Sequence, residues 1–150
     1  MDIVDFVLHS DIRGQIEADP IDLERLRALI QEGHLRQNRV FDANISFTVK
    51  NKMESMIQKL TENSADLEGI RAFKQFAELV MPLPLGLNLW KVQNTYWELL
   101  QKVFPDFRER AAAGSEPARE WTGEFLALGE RLGFAVKGLQ ESIKELKLAA

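Results

Sequence analysis

Residues 63–84 read NSADLEGIRAFKQFAELVMPLP, and this stretch decides the fold class. Leu67, Ile70, Phe73, Phe76, Ala77 and Val80 recur every three or four positions, the spacing that lines up side chains on one face of an α-helix. Asn63 stands where a side chain can cap an orphan N–H at a helix start. Met81-Pro82-Leu83-Pro84 closes the run, because proline lacks a donor and disfavours helix in the residue before it.

The same period extends upstream. A first helix is expected over residues 2–18, with Ile3, Phe6, Val7, Ile12 and Ile16 as its apolar stripe. Asp19-Pro20 reads as the next start, with Asp19 as N-cap and Pro20 at the first helical position. Leu23, Leu26, Leu29 and Ile30 face inward there, and Gly33 is the expected stop. A third helix is expected over 37–62, carrying Phe41, Ile45, Val49, Met53, Met56, Ile57 and Leu60. Asp22-Leu23-Glu24 and Asp66-Leu67-Glu68 match at an offset of 44, as do Arg27, Ala28 and Gln31 with Arg71, Ala72 and Gln75. Either a duplicated helical hairpin or a shared capping rule produces such a match.

Downstream, Asn88 is the expected N-cap of a fifth helix over 89–104, which Pro105 ends. A short helical piece from Phe107 to Ala112 follows, and Ser115 or Glu116 precedes Pro117 at a last start. Trp121, Phe125, Leu128, Leu132, Ala135, Leu139, Ser142 and Leu146 keep one phase, so a single helix of about 30 residues, some 45 Å long, is expected. Gly123, Gly129, Gly133 and Gly138 weigh against it, and a bend is placed at Gly133. The expected architecture is all-α: an antiparallel bundle of about six helices with a long C-terminal helix, forming one domain over residues 1–150.

Composition bounds the chemistry. The 150 residues include no cysteine, and 19 Lys+Arg against 23 Asp+Glu leave a formal charge of −4. The length suffices for one core. Lack of cysteine removes thiolate metal sites, cysteine nucleophiles and disulfides together. The acidic balance argues against a nucleic-acid partner, which calls for a basic stripe. The opening MDIVDFVLHSD lacks the basic-then-apolar order of a secretory signal. The longest apolar stretches, such as residues 79–85, fall short of the roughly 20 residues that cross a bilayer. No membrane partner and a cytoplasmic location are therefore expected.

Phosphate-cradling glycine motifs and the nucleophile elbow are missing from the sequence. The two histidines, His9 and His34, belong to no metal-ligand spacing and read as surface or capping residues. The acids sit in first turns, as Asp19, Asp22, Asp66 and Glu68 do, or on solvated faces, as Glu141 and Glu145 do. No catalytic residue, metal ligand or cofactor is assigned.

One segment stands apart: Leu87-Asn88-Leu89-Trp90-Lys91-Val92-Gln93-Asn94-Thr95-Tyr96-Trp97-Glu98-Leu99-Leu100. On a helix Val92, Tyr96, Leu99, Leu100 and Val103 centre an apolar arc, Trp90 and Trp97 close its edge, Gln93 falls inside it, and Asn94 lies just past Trp90. A buried amide needs a partner or costs about 1–3 kcal/mol. Structurally, Gln93 and Asn94 would bond the Pro82–Gly86 turn or a neighbouring helix end. Functionally, amides beside indole rings make a carbohydrate-type surface, with rings on sugar faces and amides on hydroxyls. Trp121, in the seam of the last helix, reads as core.

Leu83-Pro84 followed by Asn88-Leu89-Trp90-x-x-Gln93-Asn94-x-Tyr96-Trp97-x-Leu99-Leu100 resembles the C-terminal helical region, of unknown function, of large bacterial and archaeal proteins related to family 57 glycoside hydrolases. The likeness spans residues 1–104, the Asp19-Pro20-x-Asp22-Leu23 start included, and leaves 105–150 as an extension. In those proteins the region follows an amylase-like catalytic barrel whose carboxylate motifs have no counterpart here. The resemblance implies a domain that is not an enzyme on its own, packs on a barrel and helps line its glucan groove. Its partners would be that barrel and an α-glucan, and Asn88, Trp90, Gln93, Asn94 and Trp97 would form the ligand or partner face. The alternative expectation is a free-standing helical interaction module that self-associates through the long helix, whose seam approximates a heptad.

Overall fold

Four aspartates and one serine set five of the helix starts. Asp2, Asp22, Asp42, Asp66 and Ser115 accept the backbone N–H of the residue three positions on, at Asp5, Arg25, Ile45, Gly69 and Ala118. A computed structural model describes residues 2–134. Among them are seven α-helices: α1 (Ile3–Glu17), α2 (Leu23–Leu35), α3 (Ala43–Glu62), α4 (Leu67–Val80), α5 (Trp90–Lys102), α6 (Phe104–Ala112) and α7 (Glu116–Arg131). The described residues hold no strand and form an all-α helical bundle. α3 is its hub and packs on α1, α4 and α5, while α7 lies against α4 and α6.

Several starts and stops differ from expectation. Asp22, not Asp19, caps α2; Asp19 pairs instead with Lys59 Nζ at 3.0 Å, and the Asp19–Pro20 bond is cis. Asp66, not Asn63, caps α4. Asp22 and Asp66 adopt nearly the same backbone, φ −82°, ψ 96° and φ −72°, ψ 91°, so the offset of 44 aligns two equivalent caps. Gly33 does not stop α2, which runs on to Leu35; it is buried beneath Phe41, whose Cζ would stand 2.7 Å from a Cβ there. The turn falls to Gln37 and Asn38, both at φ 61°, and delays the third helix to Ala43. Asn88 does not occupy the N-cap position of α5, and Pro105 opens α6 rather than merely ending α5.

The long terminal helix is also corrected. α7 stops at Arg131, where Gly133 (φ 95°) sends its N–H to the Glu130 carbonyl and Phe134 sends its own to Gly129. This is the Schellman stop, in which a left-handed residue lets the chain turn back and satisfy the last carbonyls. The expected bend at Gly133 is therefore an end. Ala135, Gly138, Leu139, Ser142 and Leu146 lie outside the described residues.

The apolar stripe expected on α1 divides. Ile12 and Ile16 are buried, but Ile3, Phe6 and Val7 face outward, and Asp5 and Leu8 take the inner positions. The phase set by Ile16 and Ile12 runs back through Leu8 to Asp5, so the helix cannot bury both sets. Arg36 Nη1 at 2.9 Å and Arg39 Nε at 3.0 Å meet the Asp5 carboxylate. Their guanidinium groups, Arg39 first, hold it below the usual carboxylate range against the opposing effect of burial.

Candidate functional site

α5 is pinned from its inner face. Val92, Tyr96 and Leu99 are buried, one turn after another, against the core. Tyr96 donates its hydroxyl hydrogen to the Phe125 carbonyl at 2.8 Å, and its ring stacks on Phe125 with centroids 4.6 Å apart. Burial pushes the phenol's pKa up, with the Gly129 backbone N–H opposing. This close approach explains one glycine of α7, since a Cβ on Gly129 would stand 2.2 Å from the Tyr96 hydroxyl.

The outer face follows from the same geometry. Trp90, Asn94 and Trp97 fall within about 60° of arc on a helix, opposite the pinned residues. Trp90 is 70% exposed and Trp97 49%. Asn88 and Asn94 are exposed as well. The Asn88 side-chain oxygen accepts the Trp90 N–H at 3.1 Å, bracing the first turn from one residue before the cap position. Trp97 lies parallel to Phe134, with centroids 6.5 Å apart and ring planes within 7°.

Gln93 stands apart from this face. Half-buried, it donates Nε2 to the Leu132 carbonyl at 2.8 Å, on the stopped end of α7. The structure thus sets Trp90, Asn94 and Trp97 on one outward face, leaves Asn88 exposed just before it with its side chain on the Trp90 N–H, and gives the Gln93 nitrogen a helix end to hold. Trp121 is core, 2% exposed, with Nε1 donating to the Ser64 carbonyl at 2.6 Å and its ring stacked on Phe107 and Phe125.

The histidines perform local work. His9 Nε2 lies 3.0 Å from Asp42 Oδ1, which ties α1 to the cap of α3. His34 Nδ1 lies 2.7 Å from Asn38 Oδ1, across the left-handed turn. Among the described residues no group of three or more His, Asp or Glu side chains is placed to hold a metal ion, and no helix is long and apolar enough to cross a membrane.

Two features escaped the sequence reading. Ile3, Val4, Phe6 and Val7 make an outward apolar surface on α1. Lys52, Met56 and Lys59 share one row of α3 beside a hollow of about 290 Å³. The available signal was two lysines seven residues apart bracketing a methionine, which also fits an ordinary solvated edge. Compared with family models, curated proteins and solved structures, the chain matches none.

Proposed function

We propose that the chain is a non-catalytic helical accessory domain of an amylase-like protein related to family 57 glycoside hydrolases. Its antiparallel helices pack on a catalytic barrel, and Asn88, Trp90, Asn94 and Trp97 help line the barrel's α-glucan face, with Gln93 bracing them from behind. The supporting observation is the pair of exposed indoles, Trp90 and Trp97, on a helix whose opposite face is fully packed. A tryptophan has roughly 150–250 Å² to bury, so two left on one face hold apolar area for a sugar ring or a docking surface, with amides beside them for hydroxyls. The domain supplies surface and no chemistry, and the carboxylates that cleave glycosidic bonds belong to the barrel.

Native gel electrophoresis through a soluble α-1,4-glucan tests this. The intact chain is expected to be retarded, and the Trp90→Ala/Trp97→Ala variant to run as in a plain gel. An intact chain that migrates identically with and without glucan defeats the glucan contact. Hydrolysis of the glucan by the purified chain defeats the non-catalytic reading.

A second reading, a free-standing interaction module, is favoured by the outward Ile3, Val4, Phe6 and Val7 of α1. A contiguous apolar surface of this kind suits association with another protein face. Sedimentation at high micromolar concentration is expected to give a dimer that Phe6→Ser dissociates if this reading holds, and a monomer counts against self-association.

A further inference from the structure

We propose that the hollow between α3, the α1–α2 connection and the first turns of α4 binds a small amphiphilic anion, a carboxylate on a short apolar chain. The row Lys52, Met56, Lys59 forms one wall. Asp19-Pro20-Ile21 crosses in front, and Asp66, Gly69 and Ala72 of α4 close the far side. The hollow, open on one side to solvent, holds about 290 Å³, just under the roughly 300–1,000 Å³ range of small-molecule sites. None of its lining residues belongs to α5, α6 or α7, so the site is independent of the tryptophan face.

The wall chemistry selects the ligand class. Ile21, Leu23, Met56, Leu60 and Ala72 make the hollow mainly apolar, which suits a hydrocarbon chain. Two ammonium groups stand among them. Lys52 Nζ donates to the Ala18 carbonyl at 2.7 Å, and Lys59 Nζ to Asp19 Oδ2 at 3.0 Å. Lys52 is half-buried; desolvation lowers its pKa, Asp19 raises it and Lys59 lowers it further, so the three charges act on one another. Each ammonium has three donors, and each forms one such bond here.

The two carboxylates of the hollow differ. Asp66 is committed to capping α4 through the Gly69 N–H. Asp19 is a surface carboxylate, 70% exposed, hydrogen-bonded to Lys59 and within the field of Lys52. An exposed ion pair of this type contributes little, so an incoming carboxylate can take the place of Asp19 on Lys59 and accept a second donor from Lys52. Its chain then lies against Met56 and Ala72. A second, more polar hollow of about 420 Å³ shares Asp19, Lys52 and Lys59 and gives the head group its side of entry.

Octanoate is the probe, followed by NMR of methyl-labelled methionine in the full chain. Met56 lines the hollow, whereas Met53 is fully buried in the core and reports folding. Octanoate is expected to shift Met56 saturably with Kd below about 1 mM, to leave Met53 unmoved, and to bind at least tenfold more tightly than 1-octanol. Lys52→Gln and Lys59→Gln are each expected to weaken octanoate roughly tenfold without changing octanol. Ala72→Leu, which fills the chain site and keeps both lysines, is expected to abolish both responses. Absence of a saturable Met56 shift, equal binding of octanol and octanoate, or lysine variants that bind normally while Met53 shows an intact fold would each overturn the proposal.

Discussion

α1 and α4 are both rich in apolar residues and yet are used oppositely. In α4 Ile70, Phe73, Phe76, Ala77 and Val80 all enter the core, and the outer face is polar. In α1 Ile3, Phe6 and Val7 lie outside, up to 82% exposed, while Asp5 lies inside. α4 has one apolar stripe and therefore one way to pack. α1 has two competing stripes, and the one that continues to Ile12 and Ile16 wins although it buries a carboxylate. Burial of an acid is tolerable only when its charge is met, and Arg36 and Arg39, at the end of α2 and in the following turn, meet it. A stripe read from one helix is thus provisional until its partners are known.

The sharpest break of that contrast is in α4. Phe73→Ala is expected to cost about 3–5 kcal/mol in urea unfolding, because the ring is wholly buried; a cost below 1.5 kcal/mol would show that α4 is not the anchored helix described. Gly129→Ala comes next, at about 2–3 kcal/mol, since the new Cβ meets the Tyr96 hydroxyl and the fully buried ring has no free direction of retreat.

Asp5→Asn is expected to have a smaller effect, because both arginines are partly exposed at 25% and 45%. Its signature is pH dependence. The folded-state pKa of Asp5 lies below the ordinary 3.8, so its contribution is present above that value and is lost as pH falls through the folded pKa. The stability gap between wild type and Asp5→Asn should be full at pH 7 and should narrow below about pH 4. An equal gap at pH 7 and pH 3 would remove Asp5 from the contrast. Phe6→Ser closes the series, with a change within about 0.5 kcal/mol; a core-sized loss would mean that α1 packs through the face described as outward.

Much of the fold was legible because it is local. The α4 stripe, the Pro82–Pro84 stop and the Ser115 cap each rest on residues within one or two turns. The failures have physical causes of their own. Asp19 and Asp22 both precede α2, and the proline rule favours the first, whereas contact with Lys59 on α3 claims Asp19. Gly133 is silent in the apolar phase, because a Schellman stop is written in backbone conformation and not in polarity. Asp5 was unreadable as a core residue because its counter-ions lie 31 and 34 positions away. On α5 the wheel set Trp90 and Trp97 at the edge of the apolar arc, and the structure turns both outward, away from Val92, Tyr96 and Leu99. Which amide would meet a neighbouring helix was not, as the Gln93 partner lies 39 residues on.

The three tryptophans also make the molecule its own optical instrument. Trp121, 2% exposed with its N–H engaged and its ring stacked on Phe107 and Phe125, is shut away from an aqueous quencher such as iodide, whereas Trp90 and Trp97 stand within its reach. Emission therefore divides into a shielded component that dims or shifts when the bundle opens and an accessible component that responds when something covers α5. A single quenching titration can distinguish loss of the fold from occupation of its surface, without an added label.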